Sequence, residues 1–84
     1  MKTEGHADPL QEFSLTYRIR NDLNQKIQEI KSSSSTSEIN LTTERAEGFI
    51  DGLESARILK PEQIFKVRQI IESAAQARTM VLII

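Results

Sequence analysis

The residues able to do chemistry in this chain are few. There is one histidine, His6, and no cysteine. A zinc centre takes three or four ligands from thiolates, imidazoles and carboxylates at close spacing, and His6 has no second imidazole or thiolate to complete such a set. No metal is expected. Hydroxyls are abundant, but they gather in one run, Ser32-Ser33-Ser34-Ser35-Thr36-Ser37, with no Asp–His pair beside it. An activated nucleophile needs its base and orienting group held on rigid elements, so catalysis is not expected either. The glycines are Gly5, Gly48 and Gly52. None belongs to a GxGxxG or Gly-Lys-Ser/Thr phosphate loop, so no nucleotide, other cofactor or small-molecule substrate is inferred.

Charge is the remaining chemistry. Glu44, Glu47, Asp51 and Glu54 fall within an arc of about 80° on a helical wheel, opposite the apolar stripe of the same segment. They are candidates for docking a basic protein surface, beside their ordinary service as a solvated face. Basic residues are scattered: Arg18, Arg20, Lys26 and Lys31 in the first half, Lys60, Lys66, Arg68 and Arg78 in the second, interleaved with Asp22, Glu29 and Glu72. The net charge is −1, which supplies no overall field to hold a phosphate backbone. A nucleic-acid accessory role is the alternative function class, and it is disfavoured.

The elements that position these groups are helical. Asp8-Pro9-Leu10-Gln11 offers a cap acceptor, a proline at the first helical position and a glutamine three residues after the cap. A first helix is expected over 9–31 after a loose leader, 1–8. Its apolar residues form two sectors: Leu10, Phe13 and Tyr17 on one, and Leu15, Ile19, Leu23, Ile27 and Ile30 on the other, so that it faces both its own chain and a neighbour. The serine run extends into a flexible joint over 32–41, because such side chains compete for helical backbone groups.

A second helix is expected over 43–57, capped by Thr42, stapled by Leu41 on Ala46, and packed through Ala46, Phe49, Ile50, Leu53 and Ala56. Gly48, Gly52 and Ala56 make a small-residue ridge that another helix would approach closely. Pro61 opens a third helix, 61–80, with Ile64, Val67, Ile71, Ala74 and Arg78 on its core stripe. Arg57 then falls where a left-handed residue, usually glycine, ends a helix. Helices two and three should form an antiparallel hairpin through Phe49, Leu53, Ile64, Val67 and Ile71. A DNA-reading helix-turn-helix over 44–75 fits poorly: Pro61-Glu62-Gln63-Ile64-Phe65 opens the second helix with an acid and two bulky groups that the hairpin core would claim.

Eighty-four residues form a single small all-α domain, and a chain of this size buries only about 60% of its unfolded surface. Without disulfides, association with a second chain is the common supplement. No apolar run reaches transmembrane length and the polar opening lacks a signal-peptide centre, so a cytoplasmic location with no membrane partner is expected. The terminal run Met80-Val81-Leu82-Ile83-Ile84 needs cover in the core, in a dimer seam or on a partner. A homodimeric bundle is expected, with Leu10, Phe13, Tyr17, Val81, Leu82, Ile83 and Ile84 in the seam.

The stretch AEGFIDGLESARILKPEQ, Ala46 to Gln63, resembles the helical-hairpin segment of short, uncharacterised phage and prophage proteins, in which a glycine commonly stands at the Arg57 place. The resemblance brings no catalytic or binding residues. It implies an accessory of a mobile element, and with the rest of the sequence it suggests a non-enzymatic interaction module, an adaptor or regulator.

Overall fold

The computed structural model describes Leu10 and residues 15–83. Three helices follow one another, α1 (Tyr17–Lys31), α2 (Thr36–Ser55) and α3 (Pro61–Ile83), with no strand among the described residues. The all-α fold and the α2–α3 hairpin are therefore as the periodicity predicts. Short connections make sequential helices antiparallel, so α1 and α3 run in the same direction and α2 against both.

One apolar core joins them. Leu23, Ile27 and Ile30 from α1 meet Ala46, Ile50 and Leu53 from α2 and Ile64, Val67, Ile71 and Ala74 from α3, with Leu59 of the turn and Leu10 inserted among them. Phe49 packs partly buried against this cluster, where the Lys26 ammonium lies 5.4 Å from its ring centroid, a cation–π contact between α1 and α2.

The first helix begins later than expected. Asp8, Pro9 and Gln11 lie outside the described residues, but Leu15 and Thr16 are not helical, and α1 starts at Tyr17 behind a Thr16 cap. Thr16 Oγ1 accepts the Ile19 N–H at 3.3 Å, a local bond that satisfies one of the first-turn donors and favours a start at this point over continuation from upstream. Leu10 itself belongs to the interior: Arg20 Nη1 donates to the Leu10 carbonyl at 3.0 Å, and the Leu10 side chain is fully buried. A wheel drawn through Leu10 and Tyr17 thus has no physical counterpart, since the two are not on one helix.

The joint is also shorter than expected, four residues rather than 32–41. Ser35, not Thr42, caps α2, accepting the Glu38 N–H at 3.1 Å. Glu38 Oε1 returns the favour to the Ser34 N–H at 2.8 Å, the reciprocal logic of a capping box shifted by one residue. Serines that weaken a helix interior are strong at its start, and that second property governs here. With the start moved upstream, Leu41 is left exposed rather than stapled, and Thr42 turns into the core.

At its far end α2 closes in a Schellman motif. Ile58 N donates to Leu53 O at 2.9 Å and Arg57 N to Glu54 O at 3.0 Å, with Arg57 at φ 57° in the left-handed conformation such an ending requires. Gln63 Oε1 then accepts the Lys60 N–H at 2.8 Å, and α3 runs to Ile83, three residues beyond its expected end.

Candidate functional site

Three surface features could engage a partner, and each rests on a different pair of elements. The acidic face of α2 is partly consumed within the chain. Arg68 of α3 lies 2.5 Å from Asp51 and 3.4 Å from Glu54. The Asp51 hydrogen bond, chiefly, holds the guanidinium pKa above its ordinary value against the opposing effect of desolvation, with the Asp51 and Glu54 charges adding to it. Only Glu44 and Glu47 remain of the four as acids with no ion pair drawn to them. Such exposed bridges contribute at most about 1 kcal/mol, but this one decides which carboxylates a basic partner meets.

The glycine ridge beside that face is open. A Cβ at Gly48 or Gly52 would meet nothing within 4 Å, so among the described residues no helix approaches it. The buried stripe through Ala46, Ile50 and Leu53 turns the glycines outward.

The proposed seam residues do not form one surface. Leu10 is buried in its own chain's core, and Phe13 and Ile84 lie outside the described residues. Tyr17 is 79% exposed at the start of α1, whereas Val81, Leu82 and Ile83 end α3. Because the two helices run the same way, these sites sit at opposite ends of the bundle. The tail itself is no part of the core: Met80, Val81 and Ile83 are 52%, 60% and 64% exposed, with Leu82 half-buried.

The cause is length. Arg78 reaches the α1–α2 joint, its Nε donating to Ser33 O at 2.7 Å, so the turn and more of α3 that follows runs past that joint and, among the described residues, is covered only in part, chiefly at Leu82.

The joint at that level is a buried polar pin. Ser33 Oγ and Thr42 Oγ1 are 3.1 Å apart, and each also sits within bonding distance of a helix carbonyl, Glu29 O at 2.9 Å for Ser33 and Ile39 O at 3.1 Å for Thr42. Two protons serve these contacts, one between the hydroxyls and one to a carbonyl. By its sequence Ser33 reads as linker and Thr42 as a cap. The apolar neighbours Ile30 and Ala46 one turn away were the available signal that both faced inward.

A groove runs between α1 and α3, with a volume of about 560 Å³. Ile27, Ile70, Ala74 and Ala77 make its apolar floor, and Lys31 and Lys66 stand on its rim. A second recess of about 240 Å³ joins Lys31, Ala77 and Arg78 to Val81, carrying the apolar surface on into the tail. Phe65, expected in the hairpin core, is 64% exposed, since its neighbour Ile64 takes the inward position.

Four of the eight scattered cations are committed inside the fold: Arg20 to Leu10, Lys26 to Phe49, Arg68 to Asp51 and Glu54, Arg78 to Ser33. His6 lies outside the described residues. Among the described residues no helix is long and apolar enough to cross a membrane. Comparison of the chain with protein-family models, with curated proteins and with solved structures finds no match.

Proposed function

We propose that the chain is a non-enzymatic helical interaction module, a small adaptor or regulator that self-associates and works through protein contacts in the cytoplasm. The observation that carries this reading is the overhanging last part of α3, where Met80, Val81 and Ile83 are each more than half exposed on a helix that has outrun its own core. Leaving such side chains in water forgoes about 25 cal/mol per Å² of apolar area, and a two-fold contact covers the same patch on both copies at once. Of the seam expected from the sequence, this tail is the part whose exposure supports the reading, since Leu10 is buried in its own core and Tyr17 lies at the other end of the bundle. The resemblance of Ala46–Gln63 to phage and prophage hairpins supports a place among mobile-element accessories.

Sedimentation equilibrium across a micromolar concentration series tests self-association. The mass of the wild type is expected to rise above 9.5 kDa with concentration, and the double substitution Val81→Glu, Ile83→Glu to hold it at the monomer. A wild type that stays monomeric refutes the seam. Mobility shift with duplex DNA at about 50 mM and 200 mM salt tests the function class: a shift that weakens steeply with salt would replace the protein-contact reading with nucleic-acid binding.

A further inference from the structure

We infer that the groove between α1 and α3 receives an amphipathic helix from a partner protein, with carboxylates flanking that helix's apolar stripe. The inference rests on the interaction-module reading and names the chemistry of the partner.

The groove has the shape of a missing bundle member. α1 and α3 are the two helices of the trio that run parallel and pack least on each other, and the furrow they leave is the place where a fourth helix would complete a four-helix bundle. From Lys66 to Ala77 it follows α3 for about three turns, at 1.5 Å per residue roughly 16 Å. That suits anchors spaced i, i+3 or i+4, and i+7 on a docked helix. The wall residues Ser73, Ala74 and Ala77 are small, which lets a helix lie close, while Ile27 and Ile70 supply bulk to pack on.

Charge selects the occupant. Lys31 and Lys66 stand on the rim, and among the described residues no acid lines the groove. Among the described residues neither lysine is in an ion pair, in contrast to Arg68 across the molecule. A second copy's α3 laid antiparallel along the furrow would bring its own Lys66 toward Lys31, and one laid parallel would set Lys66 against Lys66. Both pairings oppose like charges. Glutamates or aspartates flanking an apolar stripe face each ammonium favourably, and such complementarity fixes partner choice more than raw affinity.

The probe is a synthetic helix of about five turns, with leucines along one stripe and glutamates on both flanks, beside a twin bearing lysines in place of the glutamates. Each is titrated into the ¹⁵N-labelled full chain at about 50 mM salt, where surface charge is weakly screened. The acidic peptide is expected to shift the amides of Ile27, Ile70 and Ala77 and to bind about tenfold tighter than its twin. Lys31→Glu with Lys66→Glu should invert that preference, whereas Arg18→Glu with Lys60→Glu, the same change of net charge away from the groove, should leave it.

Equal affinity for the two peptides, shifts confined to another face, or failure of the double substitution to invert the preference would each overturn the inference. So would concentration-dependent shifts of the Ile27 and Ile70 amides, which lie away from the tail recess, without peptide; these would make a second copy the occupant. Self-association through Val81 and Ile83 is read separately by sedimentation, so loss of the groove inference leaves the tail seam standing, and the reverse.

Discussion

Arg57 shows what one residue costs when geometry is set by its neighbours. Two backbone bonds from Arg57 and Ile58 to the end of α2 require a left-handed residue, and arginine at φ 57° carries a steric cost of about 1–2 kcal/mol that glycine avoids. Glycine also loses more backbone entropy on folding, so Arg57→Gly is expected to stabilise the chain by a net ~0.5–1 kcal/mol, read as a higher urea midpoint at unchanged slope. The opposite holds at Gly48 and Gly52. Both are helical residues of α2, Gly52 in its last turn, with open space where a Cβ would stand. Replacing each with alanine should therefore add about 0.8–1 kcal/mol, nearly additively because neither new methyl meets a shared neighbour. A loss of self-association in that variant would show the ridge to be a contact between copies.

At the scale of elements, the joint end of the bundle is held by the polar pin and not by apolar packing alone. Ser33 and Thr42 are buried with their hydroxyls paired, and Arg78 ties α3 to the Ser33 carbonyl across 45 positions of chain. Removing one hydroxyl takes away the other's partner across the joint and leaves it only a carbonyl of its own helix, and the pair bond is lost once whether one or both hydroxyls are removed. Thr42→Val is therefore expected to destabilise by about 1–2 kcal/mol. The double substitution Thr42→Val, Ser33→Ala should cost less than the sum of the single changes, and a double-mutant cycle in urea measures that coupling. Additive losses would show that the two hydroxyls act independently.

For the whole molecule, size and surface are linked. A three-helix chain of 84 residues has a small core, and its longest helix extends past that core. Any association that covers the overhang is linked to folding by mass action. The thermal midpoint of the wild type is expected to rise with protein concentration, by a few degrees for each kcal/mol of association free energy gained at a domain of this size. Val81→Glu with Ile83→Glu should flatten that dependence. Differential scanning calorimetry at several concentrations checks it.

The helix count, the α2–α3 hairpin, the positive φ at Arg57 and most of the core are legible in the residues alone, because these follow from local periodicity, from a proline that fixes a start, and from a helix ending whose backbone bonds are short-range. Leu53, Ile64, Val67 and Ile71 are buried together as their spacing foretold. What only the tertiary structure decided depends on contacts far apart in the chain. Leu10 looks like a seam residue on a wheel, yet it packs inward, since α1 starts only behind Thr16 and Arg20 takes the Leu10 carbonyl. The serine run reads as linker until Thr42 stands opposite Ser33. The groove, in turn, belongs to no single segment: Ile27 and Lys31 meet Lys66, Ile70 and Ala77 only when α1 is laid alongside α3. Local sequence fixes which face of a helix is apolar, but the packing angles and relative lengths of the helices fix how much of that face remains uncovered.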